Sequence, residues 1–214
     1  MKKLIGLLFT LLLFTNTVFA FPNEPEGFRE LKWGDSVKTL FKYYPDATFE
    51  KSREYQMNTS DSTVFNVYKV QLNNINLSTL KLNKEAEYVF HNNQFVGVIL
   101  KSITSKSLNN IKNTESKFIE NMVTLYGPPT ETKTFYTVMD GRNPSRNNID
   151  YFITRRSWTS YNKSTIMVET YLNLKSKKDH YLDIFIFQHN LWDNYVKSRI
   201  SEIYKKEEIK NQGW

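Results

Sequence analysis

Helical periodicity marks two segments of the chain. Apolar side chains recur at steps of three and four between residues 36 and 44, and Pro45 ends the run, so the pattern predicts a short helix there. A longer apolar stripe, interrupted only by Glu115, predicts a second helix over 107–126. Gly127 and the prolines that follow it are typical of a helix end.

Alternating apolar and polar positions predict strands in the rest of the chain. The first set covers residues 63–70, 77–82, 86–90 and 95–100, and the second covers 131–139, 150–160, 165–174 and 181–187. The run at 181–187 is almost continuously apolar, which indicates a central strand. The sequence HNNQ at 91–94 predicts a tight hairpin, because asparagine tolerates a positive φ. Asn190 or Asp193 can cap a last helix.

The order of these elements predicts an α+β fold with helices packed on antiparallel meander sheets. Few glycines and no Pro-rich linker interrupt the chain, so we expect a single domain over 21–214. Both helices end near a tyrosine and a proline, at Tyr44-Pro45 and at Tyr126-Gly127-Pro128. The sequence therefore leaves open the possibility of an internal duplication, with two similar α-plus-sheet halves at 21–103 and 104–214.

The first twenty residues have the layout of a secretory signal peptide. Lys2 and Lys3 precede an apolar run over 4–14, and Val18 and Ala20 occupy the −3 and −1 positions of a cleavage site. A membrane anchor is the alternative, but the run is about half of the ~20 residues that a spanning helix needs. We expect removal of 1–20, no transmembrane segment after cleavage, and a periplasmic or secreted protein.

The amino-acid composition excludes several kinds of functional site. The chain has no cysteine, which excludes disulfides, thiol nucleophiles and cysteine metal sites. Without Lys2 and Lys3, the chain has 27 basic and 22 acidic residues, which gives a net charge of +5. The basic residues are scattered along the sequence, so nucleic acid is not an expected partner. An anionic surface polymer is still a possible partner.

Two short motifs carry a family resemblance. Phe28-x-x-Leu31-x-Trp33-Gly34-x-Ser36 and Leu125-Tyr126-Gly127-x-Pro129 resemble segments of uncharacterised exported bacterial α+β proteins with a domain of unknown function. In those proteins the first motif leads into a short helix and the second ends a helix before strands. The resemblance implies a bacterial envelope protein, and it brings no catalytic residue.

The residues that commonly carry catalysis form no recognisable motif. His91, His180 and His189 lack the spacing of a zinc site, so no metal is predicted. No glycine-rich phosphate loop and no nucleophile elbow occur, so no cofactor and no catalytic residue are predicted. The carboxylate pairs Glu85/Glu87 and Glu207/Glu208 could in principle serve glycoside hydrolysis, but only their closeness in the sequence suggests it.

The segment 155–163 is the most suggestive binding surface. It combines cations and aromatic rings, which are favoured at recognition surfaces. Its predicted binding residues are Arg155, Arg156, Trp158, Tyr161 and Lys163. On a strand, Arg156 and Trp158 would share one face and Arg155 would lie on the other. The alternative places Trp158 in the core, with both arginine stems covering apolar surface.

These observations favour a non-enzymatic envelope protein that binds another protein or a surface polymer. A secreted hydrolase with a carboxylate site is the first alternative. A protein that binds a small ligand or a lipid, in a groove between helix and sheet, is the second.

Overall fold

A computed structural model describes residues 21–56, 62–72, 76–77, 80–102, 105, 107–137, 151–160, 164–174, 180–188, 191 and 195. The strands are β1 (Gly27–Phe28), β2 (Leu31–Lys32), β3 (Thr48–Gln56), β4 (Ser62–Gln71), β5 (Asn76–Leu77), β6 (Leu80–His91), β7 (Gln94–Ser102), β8 (Glu131–Thr137), β9 (Tyr151–Thr159), β10 (Ser164–Asn173) and β11 (Tyr181–Gln188). The helices are α1 (Val37–Tyr43) and α2 (Leu108–Tyr126).

One antiparallel sheet dominates these residues. Its strand order is β3-β4-β6-β7-β11-β10-β9-β8, with the short β5 paired to β6. The strands before α2 and the strands after it each form a meander, and the two meanders join where β7 pairs with β11. The hairpin of β1 and β2 stands apart as a two-stranded sheet.

The α+β prediction of helices packed on antiparallel meander sheets, with two similar α-plus-sheet halves, is wrong. Strands contain 59% of the described residues, which include two helices, so the fold is dominated by its sheet. In that prediction each half is one helix packed on its own antiparallel meander. They merge because β7 and β11 are apolar on both faces and pair with each other, from Gly97 with Phe187 to Lys101 with Asp183.

Both faces of the sheet bury apolar side chains. On the first face, Phe118 and Met122 of α2 pack with Ile166, Val168 and Ile184 of the sheet. On the second face, a smaller cluster includes Met167, Phe185, Phe187 and the buried Tyr195. Strand β11 therefore contributes alternate residues to two cores, and its predicted central position is confirmed by its neighbours β7 and β10.

Several local predictions are confirmed. Both helices form within one residue of their predicted bounds, and the N–H of Gly127 donates to the carbonyl oxygen of Val123 at 2.9 Å. The hairpin between β6 and β7 has Asn92 at φ +49° and Asn93 at φ +62°. The predicted signal peptide and most of the predicted last helix lie outside the described residues.

Candidate functional site

Helix α2 forms one wall of an apolar cavity. The side chain of Ser107 accepts a hydrogen bond from the N–H of Asn110 and starts the helix, and Gly127 ends it with φ +76°. Phe118 and Met122 lie on the buried face, with 3% and 7% of their surfaces exposed. Asn121 and Leu125, on the same side of the helix, reach the cavity nearer to solvent.

The β1–β2 hairpin forms the opposite wall. Its strands approach so closely that a Cβ on Gly27 would lie 2.1 Å from the carbonyl oxygen of Leu31, which only glycine permits. Phe28 turns inward and contacts the ring of Tyr88 edge to face, with centroids 5.9 Å apart. Arg29 and Glu30 make the turn, and both side chains are exposed.

The sheet supplies the floor of this cavity. Ile166 of β10 and Ile184 of β11 are each 1% exposed, and Ile186 is partly buried beside them. These three isoleucines share a face because Ile166 pairs with Ile186, and Ile184 lies two residues from Ile186. The floor is thus apolar.

The space between these walls has a volume of about 240 Å³. Its lining residues are Pro25, Gly27, Phe28, Arg29, Phe118, Asn121, Met122, Leu125, Tyr126, Ile166, Ile184 and Ile186. An apolar cavity of ~150 Å³ is enough to bind benzene in an engineered protein. This larger cavity can therefore hold an aliphatic chain or a small ring system.

Arg29 is the only charged residue in that lining set. Its backbone has φ +54°, a left-handed conformation that is uncommon for residues other than glycine and asparagine. Its guanidinium forms no ion pair with any residue in the described part of the chain. Residues with strained backbones cluster at functional sites, so the conformation of Arg29 marks it as a candidate functional residue.

A chain of hydroxyl groups lies behind the hairpin. The hydroxyl of the buried Tyr88 donates to the hydroxyl of Tyr44 at 3.4 Å, and Tyr44 donates to the carboxylate of Glu30. Burial raises the pKa of Tyr88, and burial together with the bond to Glu30 raises the pKa of Tyr44. Both phenols are therefore neutral at physiological pH and add no negative charge near Arg29.

The predicted residue Arg155 lies on the second face of the sheet. Its Nε donates to Oε1 of Glu169 at 2.7 Å, and its guanidinium lies over the ring of Phe135 at 5.0 Å. The side chain of Glu169 is 5% exposed and also accepts a bond from Tyr171. Arg155 therefore has a partner within the chain, and its positive charge neutralises the buried carboxylate of Glu169.

The other predicted residues divide into two groups. Arg156 and Trp158 share the first face, as predicted, because they pair with Val168 and Ile166 of β10. Arg156 forms an ion pair with Glu115 of α2, and the fully buried Trp158 donates from Nε1 to the carbonyl oxygen of Gly127 at 2.8 Å. Tyr161 and Lys163 lie outside the described residues.

A second, polar cavity of about 360 Å³ lies on the other face of the sheet. Its charged lining residues are Lys84, Glu85, Glu87 and Lys101. Glu87 pairs with Lys101, and Oε1 of Glu85 lies 3.1 Å from Nζ of Lys69. The carboxylates of this predicted pair are engaged by different lysines.

The part of the chain that the structure describes contains no group of three or more His, Cys, Asp or Glu side chains that could hold a metal ion. Among the same residues, no helix is both long enough and apolar enough to cross a membrane. Comparison of the sequence with family models and curated proteins, and of the fold with solved structures, found no match.

Sequence reasoning kept a groove between helix and sheet as an alternative binding site, but it named none of the residues that line the apolar cavity. Its residues come from three separate segments, within 25–29, 118–126 and 166–186, and most of them look like ordinary core residues in the local pattern. The one usable signal was Arg29, a basic residue that directly follows Phe28 within the Phe28–Ser36 motif.

Proposed function

We propose that this chain is a non-enzymatic binding protein of the bacterial envelope and that it binds an apolar or amphipathic small molecule in the cavity between α2, the β1–β2 hairpin and the sheet. The observation that carries the proposal is the cavity itself: about 240 Å³, walled by Phe28, Phe118 and Met122 and floored by isoleucines. The envelope location is an expectation from the N-terminal sequence.

The apolar lining determines the class of ligand. Phenyl, thioether and branched aliphatic side chains offer dispersion contacts and no hydrogen bonds, so a ligand gains affinity by removing its own apolar surface from water. Each buried methylene contributes about 0.8 kcal/mol, or about fourfold in affinity. An aliphatic chain is the simplest molecule that fits between a helix and a sheet.

The test is calorimetric titration with hexanoate, octanoate and decanoate. We expect affinity to rise by up to about fourfold per methylene until the chain fills the cavity and then to level off. The same affinity for all three acids, or no binding of any, would overturn the proposal.

A matched pair of variants locates the binding. Asn121 lines the cavity, whereas Asn113 is exposed on the same helix and does not. Asn121→Trp should fill the cavity mouth and abolish decanoate binding, and Asn113→Trp should leave it unchanged. Equal effects of the two tryptophans would place the ligand elsewhere.

A further inference from the structure

Resting on the proposed function, we infer that the ligand is a single-chain anionic amphiphile whose carboxylate or phosphate head is bound by Arg29 at the cavity mouth. The buried floor at Ile166 and Ile184 and the exposed Arg29 give the cavity an apolar end and a cationic end. A molecule with the same polarity, an acyl chain that ends in an anion, complements both ends at once.

The charge at the mouth is not already neutralised within the described residues. The adjacent carboxylate of Glu30 accepts a hydrogen bond from the hydroxyl of Tyr44, and no ion pair joins it to Arg29. The guanidinium is thus available, and its planar set of donors fits the two oxygens of a carboxylate or phosphate.

The hairpin fixes the position of this arginine. The two-residue turn between β1 and β2 places Arg29 at φ +54°, where glycine would meet no steric penalty. Phe28 is held against Tyr88, and the next residue, Arg29, is exposed and lines the cavity. The turn thus retains a strained arginine where an unstrained glycine would also close the hairpin.

The experiment compares four ligands that share a ten-carbon chain and differ in the head group: decanoate, decyl phosphate, decanol and decylammonium. Each is titrated into the mature protein, residues 21–214. We expect the two anions to bind about tenfold or more tightly than decanol, and decylammonium to bind most weakly. The difference between decanoate and decyl phosphate identifies a fatty acid or a phosphate-headed lipid as the better fit.

Variants assign the effect to the arginine. Arg29→Gln should lower the affinity for decanoate about tenfold and leave that for decanol unchanged. Lys38→Gln removes the same charge from an exposed position on α1 that does not line the cavity, and it should change neither. Added salt should weaken decanoate binding to the unmodified protein and spare decanol, a readout that needs no variant.

The titrations distinguish failure of the proposed function from failure of the inference about the anionic head. If no decyl compound binds, the proposed function is wrong. If decanol binds as tightly as decanoate and Arg29→Gln changes nothing, the cavity binds ligands but the anionic head is wrong. If Lys38→Gln weakens decanoate as much as Arg29→Gln does, the attraction comes from the net charge and not from Arg29.

Discussion

Arg29 has a left-handed backbone conformation, at φ +54°, that strains a side chain with a Cβ atom. Replacement by glycine removes that strain, and only part of the gain is offset by the greater freedom of glycine in the unfolded chain. We predict that Arg29→Gly raises the free energy of unfolding by about 0.5–1 kcal/mol in denaturant melts. The same change should weaken decanoate binding.

Arg29→Ala is the control for that prediction. Alanine keeps the Cβ atom and the strain but removes the guanidinium, so it should weaken binding without stabilising the fold. Equal stability of the glycine and alanine variants would show that the backbone conformation contributes nothing.

Phe118 is the largest buried side chain that α2 contributes to the core, at 3% exposure. We predict that Phe118→Ala lowers the free energy of unfolding by about 3–5 kcal/mol, because it removes buried ring surface and enlarges a cavity. Leu125, at 52% exposure on the same helix, is the matched control, and its alanine variant should change stability by less than about 1 kcal/mol. A loss below about 1 kcal/mol for Phe118→Ala would mean that this face of the helix is not the core face.

At the scale of elements, two ion pairs tie β9 to its neighbours. Arg155 neutralises Glu169 of β10, whose side chain is 5% exposed, and Arg156 neutralises Glu115 of α2, whose side chain is 14% exposed. Removing the cation leaves a carboxylate uncompensated, and the penalty grows with burial. We predict that Arg155→Ala destabilises the protein by about 3–5 kcal/mol and Arg156→Ala by less.

The comparison also tests the predicted binding surface at 155–163. Lysine variants of both arginines retain the charge, so they should restore most of the stability and keep any attraction for a partner. A double Arg155→Ala/Arg156→Ala protein that melts normally and recovers fewer envelope partners in a cross-linked pull-down would favour a recognition surface instead. An unchanged melt and an unchanged pull-down would contradict both interpretations.

Sequence patterns predicted local structure well where a local cause acts. The spacing of apolar residues and the Gly127 stop defined α2, and Asn92-Asn93 supplied the positive φ values of a hairpin. Strand β6 was predicted as two strands, at 77–82 and 86–90, because Asn83-Lys84 resembles a turn. The structure instead continues the strand through an irregularity between Leu82 and Ala86.

Long-range relations could not be predicted in the same way. Alternation placed Arg156 and Trp158 on one face, but it could not indicate that Glu115 or the carbonyl group of Gly127 lies opposite them. The pairing of β7 with β11 joins residues 82 to 90 positions apart, and the cavity is a gap left between elements. A gap has no sequence pattern of its own.

At the scale of the whole molecule, the first described residues are attached to both α2 and the sheet. The ring of Phe21 contacts Tyr126 edge to face at 5.8 Å, and Nδ2 of Asn23 donates to the carbonyl oxygen of Leu125 at 2.6 Å. The carboxylate of Glu24 accepts from the backbone N–H of Ser164 at 2.6 Å. A chain that begins at Phe21 keeps these contacts beside the cavity.

We predict that the chain is exported and that its mature form begins at Phe21, because Val18 and Ala20 are the small residues that signal peptidase requires at the −3 and −1 positions. Intact-mass measurement and N-terminal sequencing of the periplasmic or secreted fraction check this. Ala20→Arg should block cleavage, whereas Phe19→Ala, at the position between the two small residues, should not. Recovery of the full-length chain in membranes, resistant to carbonate extraction, would instead establish the anchor. The cavity would then be held at the membrane surface, where an anionic amphiphile has its highest concentration.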